Sequence, residues 1–172
     1  MSNLTIAQAL RRTKKTRGNI SELKTRASEA VSHEAGKKPT FDFEPTCEAL
    51  ANAKEELIKL ESSIACANAS TTITYEGKSM TLAEAIRRLQ ELKDQMSWLT
   101  SLHIREGVER SSDLVWNDET GRQSRVTTEV TYITKLSERD RVEKIESLRD
   151  QFEALNDLVE QANHRTEVKV AV

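Results

Sequence analysis

The residues whose types and spacing suit chemistry are Arg11, Arg12, Arg87 and Arg88, together with Thr5, Thr71, Thr81, Thr166, Asn68 and Asn163. The chemistry they suit is recognition of an anion. Threonine at a helix start lies beside unpaired backbone N–H groups and the positive end of the helix dipole, and arginine adds a planar fork of donors that matches phosphate or carboxylate. The residues fall into matching sets. Thr5-Ile6-Ala7-Gln8-Ala9-Leu10-Arg11-Arg12 and Thr81-Leu82-Ala83-Glu84-Ala85-Ile86-Arg87-Arg88 share five identities in eight, and Ala67-Asn68-Ala69-Ser70-Thr71 corresponds to Ala162-Asn163-His164-Arg165-Thr166 through Ala-Asn-x-x-Thr. His164 and Tyr75 stand beside these sets and join the candidate ligand-binding residues. The same residues have a plainer reading. Thr5 and Thr81 are then ordinary N-caps, Asn68 and Asn163 ordinary C-caps, and the arginines solvated or salt-bridged.

Nothing else in the chain points to catalysis or to a metal. There is no HExxH, no Gly-rich phosphate loop and no nucleophile elbow, and the histidines, His33, His103 and His164, are scattered. The expectation is a non-catalytic protein with no cofactor. Cys47 and Cys66 are too few for a disulfide framework or a four-cysteine zinc site. On one helix, 19 residues apart, they are separated by about 28 Å, so the reading is two small core residues.

The elements that would carry the matching sets follow from hydrophobic period. A first helix runs from about Thr5 to Ala35 on Leu4, Ile6, Leu10, Ile20, Leu23 and Ala27, but Thr13 and Arg17 sit where the period expects apolar side chains. That helix is therefore expected to face something polar for one or two turns. Gly36, Pro39 and Pro45 punctuate a loop pinned by Phe41 and Phe43, and Pro45 suits the first turn of a second helix, Thr46 to about Asn68. A Thr-rich stretch from Ala69 to Met80 with Glu76-Gly77 suggests a small ribbon. Thr81 with Glu84 forms a capping box that opens a third helix, on which Trp98 and Leu102 make a second apolar face. Ser137 caps a fourth helix, and the tail alternates Val168, Val170 and Val172 as an edge strand would.

Between the third and fourth helices, at about 112–135, β-branched residues alternate in what reads as a hairpin arm. The matching sets are offset by 76 residues at the helix starts and by 95 at the helix ends. The difference is about the length of such an arm. The fold expected is mainly α in a single domain, 1–172: an antiparallel four-helix arrangement of two tandem αα-hairpins, 5–71 and 81–166, with the β-hairpin arm inserted in the second. Short connections would then gather both matching sets at one pole.

Composition limits the partners. With 26 basic and 28 acidic residues the net charge is -2, which argues against nucleic acid as the main partner. Residues 11–26 nevertheless hold seven basic side chains against one acidic, a run that reads first as a solvated face but leaves room for local steering of a small anion. No apolar run approaches the ~20 residues of a membrane span, and no secretory leader is evident, so the expected compartment is the cytoplasm. Trp98, Leu102, Trp116 and the valine tail exceed what a thin bundle covers, which points to a homo-oligomer.

With Asn68, Thr71, Gly77, Thr81-Leu82, Ala85 and Arg88 in order, and Ala162-Asn163 at the end, the chain resembles the septicolysin-like family of small helical bacterial and phage proteins. It departs from that pattern at Leu89-Gln90, where the family often has an Arg-Asp pair, and at His164, where it often has Trp. The resemblance implies a helical fold and adds a membrane-active, cytolysin-like role to the possibilities. The function expected first is an oligomeric protein that holds a small anionic ligand and sequesters a signalling nucleotide. The alternative is a structural module whose arm and tail add strands to a partner protein.

Overall fold

The computed structural model describes residues 2–37, 39–117 and 121–170. In chain order its elements are β1 (Ser2–Thr5), α1 (Ile6–Ala30), α2 (Phe43–Ser70), β2 (Thr72–Tyr75), β3 (Lys78–Thr81), α3 (Leu82–Ser101), β4 (Gly107–Asn117), β5 (Arg122–Tyr132), α4 (Glu138–Arg165) and β6 (Glu167–Val170). The protein is mainly helical, and the strands form antiparallel pairs, β1 with β6, β2 with β3 and β4 with β5. Two compact units divide the chain, Met1–Gln90 with Glu153–Val172, and Glu91–Phe152.

In the first unit α1 packs on α2. Ile20 and Leu23 lie against Ala53, Leu50 and Leu57, while Leu10 and Thr13 lie near Ile64 and Asn68. The order along α2 is thus the reverse of that along α1, and the two helices run antiparallel. Their apolar stripes bury Ile6, Ala9, Ile20, Leu23, Ala27 and Ala30 on α1, and Ala53, Leu60, Ile64 and Ala67 on α2. Helix α1 stops at Ala30, five residues short of the sequence expectation, because beyond it Val31 and its neighbours are exposed and have no core to continue. Helix α2 begins earlier than expected, at Phe43, which is itself exposed. Phe41 supplies the anchor instead, with the Arg26 guanidinium 5.1 Å above its ring. Cys47 is half-buried and Cys66 exposed. Cys66 is therefore not the core residue expected, since the seam uses Ile64 and Ala67 on either side of it.

Two junctions in this unit repeat one hydrogen-bond scheme. At the end of α2 the Thr71 N–H donates to Ala67 O (2.9 Å), and Thr71 O accepts from the Leu82 N–H that opens α3 (2.8 Å). At the end of α4 the Thr166 N–H donates to Ala162 O (2.9 Å), and Thr166 O accepts from the Ile6 N–H that opens α1 (3.0 Å). The strands continue the parallel: Thr72 pairs with Thr81 in β2–β3, and Glu167 pairs with Thr5 in β6–β1. The first junction is a tight hairpin. Glu76 (φ 48) and Gly77 (φ 75) both take positive φ, as a two-residue type I′ turn requires to match strand twist. The second joins segments from opposite ends of the sequence, with Leu4 opposite Val168, which is 2% exposed. The tail therefore does form a strand over Glu167–Val170, Val172 lying outside the described residues; its partner β1 was not foreseen.

In the second unit β4 and β5 form a ribbon of eleven residues a side, from Gly107 opposite Tyr132 to Asn117 opposite Arg122. It starts five residues before the expected arm, at Gly107, whose φ of 85 favours glycine. Ser137 caps α4 as expected: its Oγ accepts from the Asp140 N–H at 3.1 Å. Arg141 Nη1 donates to the carbonyls of Thr100 and Leu102, both at 3.2 Å, and so satisfies orphan groups at the end of α3. Among the described residues of this unit, Leu99 is the one buried hydrophobic side chain. Trp98 is 61% exposed, so the second apolar face of α3 is open there.

Candidate functional site

The helix starts that were expected to offer N–H groups to an anion are capped by the chain itself. Thr5 and Gln8 form a full capping box: the Gln8 N–H donates to Thr5 Oγ1 (3.3 Å) and the Thr5 N–H to Gln8 Oε1 (2.9 Å). Thr81 Oγ1 likewise accepts from the Glu84 N–H at 3.1 Å. With the Ile6 and Leu82 N–H groups held by Thr166 O and Thr71 O, the four threonines serve the junctions. The arginines are engaged as well. Arg12 pairs with Glu56 across the helix interface at 2.5 Å, and Arg88 pairs with Glu84 one turn back at 2.9 Å. Arg11, Arg87 and His164 are exposed. Tyr75 is half-buried at the β2–β3 turn, where burial first, then the Glu76 carboxylate, pushes its phenol above the usual tyrosine range.

The asparagines behave differently. Asn68 Oδ1 and Asn163 Oδ1 are buried and have no hydrogen-bond partner among the described residues. Each stands three residues before the threonine of its junction. Buried polar atoms are satisfied in the great majority of cases, so unpaired ones call for a partner from outside the chain.

Asn68 opens onto a groove of about 430 Å³ between α1 and α2, lined by Leu10, Thr13, Lys14, Arg17, Glu61, Ile64, Ala65 and Asn68. Thr13 is 6% exposed and its Oγ1 is a second buried atom without a partner. On one side Arg17 grips Glu61 through Nε (3.2 Å) and Nη2 (2.5 Å). Lys14 is exposed beside it, so the lining carries two cations against one carboxylate. Leu10, 45% exposed, and Ile64 give the same groove an apolar wall. Of the residues expected from sequence Asn68 lines this groove, while Arg12 lines a neighbouring one of about 690 Å³ with Lys15, Thr16, Asn19, Glu22 and Glu56.

Thr13, Lys14 and Arg17 were absent from the expected set. The interruption of the α1 stripe at Thr13 is the signal that locates this turn; the second polar position on the buried stripe is Thr16 rather than the expected Arg17, which is exposed because the steps Ile6, Ala9, Thr13, Thr16 and Ile20 carry the stripe past it. Among the described residues no cluster of three or more His, Cys, Asp or Glu side chains could hold a metal ion, and no described helix is long and apolar enough to cross a membrane.

No curated protein matches the sequence. A solved structure with the same fold is described as a functionally unknown conserved protein from Corynebacterium diphtheriae. It superposes with a TM-score of 0.74 at 18% identity over 98% of this chain and 100% of that one. A model of a family of unknown function, DUF6847, matches residues 13–168, a span that runs from the groove threonine to the β6 clasp, and the chain belongs to that family.

Proposed function

We propose that the protein is a non-catalytic binding protein that holds a small anionic ligand of the nucleotide class in the α1–α2 groove. The observation that carries this reading is the pair of buried, unpartnered atoms, Thr13 Oγ1 and Asn68 Oδ1, on the wall of one groove. They are placed to bond the polar edge of a base or a sugar hydroxyl. Lys14 and Arg17 stand where a phosphate would sit, and an arriving phosphate would compete with Glu61 for the Arg17 guanidinium. Leu10 and Ile64 offer the apolar contact that a flat heterocycle needs.

The matching junctions support a reading of the chain as tandem αα-hairpins, 5–71 and 81–166, with the arm inserted in the second. In that arrangement Asn163 repeats Asn68.

The experiment is a melting-temperature series across a panel of mono-, di- and cyclic nucleotides with inorganic phosphate as the control. A ligand present at about 100 times its Kd stabilises by about 2.7 kcal/mol. The reading expects a shift that is lost in Lys14→Ala and in Asn68→Ala. A shift that survives both substitutions but disappears in the Arg12→Ala, Arg88→Ala double variant would move the ligand to the junction pole. No shift with any nucleotide would remove the reading.

A further inference from the structure

The β4–β5 ribbon is long, exposed and unsupported. Among the described residues its strands pair only with each other, so each outer edge presents a row of unpaired N–H and C=O groups. Its apolar side chains are open too: Val108, Leu114, Val115, Trp116, Val126 and Val130 are each between 43% and 63% exposed. A lone two-stranded ribbon is marginally stable in water, and three or more strands with an apolar face are needed for independent stability. The unit that carries the ribbon has one buried hydrophobic residue, Leu99, among those described. More strands would have to come from outside this chain.

The sequence of β5 fits a copy of itself. When β5 is laid antiparallel on a second β5 about Thr127, Arg125 falls opposite Glu129 and Glu129 opposite Arg125, giving two cross-strand pairs of opposite charge. Arg122 falls opposite Tyr132, Ser124 opposite Val130 and Val126 opposite Thr128, and no like charges meet. Glu129 already bonds Arg110 of its own β4 at 2.6 Å. In the paired register it is flanked by an arginine on each side of the same sheet face. On the other face Val126 and Val130 of both copies become contiguous.

Neither neighbouring even register does this. A shift of two residues sets Arg125 opposite Thr127 or Thr131. The other edge fails as well, because β4 laid on itself about Ser112 sets Arg110 opposite Leu114 and Glu109 opposite Val115. Pairing β4 with a second copy's β5 is head-to-tail and would repeat from copy to copy without closing, whereas the β5–β5 contact is two-fold and complete with two copies.

We propose that two copies of this chain associate edge to edge through β5, centred on Thr127, to form a four-stranded antiparallel sheet. The proposal is independent of the groove and its ligand.

Sedimentation velocity on the full chain at tens of micromolar is the test, and the wild-type chain is expected to be a dimer. Arg125→Glu places Glu opposite Glu twice, Glu129→Arg places Arg opposite Arg twice, and each variant is expected to weaken association at least tenfold. Mixing the two restores both pairs, since the introduced glutamate of one copy then meets the introduced arginine of the other, and the unaltered Glu129 meets the unaltered Arg125. The equimolar mixture is expected to regain a dimer, weaker than wild type because Glu129→Arg also sets an arginine opposite Arg110 in its own ribbon, an outcome that a misfolded variant could not give. A monomeric wild-type chain, an oligomer indifferent to both substitutions, or variants that stay apart when mixed would overturn the proposal.

Discussion

Thr13→Val separates a structural role for the groove from a binding role, because the two predict opposite signs. Valine keeps the shape of threonine and removes the hydroxyl. Thr13 is 6% exposed and its Oγ1 has no partner among the described residues, so the substitution deletes a desolvated polar atom without opening a cavity. An unsatisfied buried hydroxyl costs about 1–3 kcal/mol. A gain of about 1 kcal/mol raises the melting temperature of a chain of this length by roughly 2–4 °C. Binding should move the other way. Loss of one neutral hydrogen bond, about 0.5–1.5 kcal/mol, weakens a ligand roughly two- to tenfold. Thermal melts of wild type and variant, with and without the nucleotide that shifts the wild type, read both quantities together. A variant that melts lower and keeps the full ligand shift would refute the reasoning, for Oγ1 would then be satisfied within the fold and absent from the site.

Two further outcomes test the frame that holds the groove. Leu60 is 0% exposed on α2, and Leu60→Ala should cost about 2–5 kcal/mol, read as a lower urea midpoint with an unchanged slope; a loss under about 1 kcal/mol would take Leu60 out of the core. Asp140 is held below the usual carboxylate range by the Ser137 hydroxyl, which donates to it at 2.7 Å, and then by the Ser137 backbone N–H. That lowering stabilises the fold above the ordinary carboxylate range and fades as pH falls through the lowered value. Ser137→Ala should raise the Asp140 midpoint in an NMR carboxyl titration, and an unmoved midpoint would contradict the cap.

What could be read in the sequence was local. The period of three to four residues located the helices, Glu76-Gly77 the turn, and alternation both the arm and the tail strand. The N-terminal strand escaped because Ser2 to Thr5 shows no pattern of its own; it is a strand only because Val168 and its neighbours lie alongside. The same limit governed the site. The break in the α1 stripe at Thr13 announced a polar neighbour, but the neighbours, Glu61 and Asn68, come from another helix and from residues about fifty positions away. Arg12 looked free for an anion because nothing near it in sequence reveals that Glu56 will meet it. The matching of Thr5 with Thr81 and of Thr71 with Thr166 was plain, yet hydrogen bonds were needed to see that these residues join helices.

The clasp between β1 and β6 also sets an order in time. Leu4 is paired with Val168 and the first N–H of α1 with Thr166 O, contacts that span nearly the whole described chain and carry the entropy cost of closing a very long loop. Synthesis proceeds from the N-terminus, so the opening strand and the first turn of α1 leave the ribosome early and wait for their partners until the end of α4 has followed. β1 is thus made before the strand that secures it, while the Thr13 and Lys14 side of the groove, two turns further along the same helix, needs only α2.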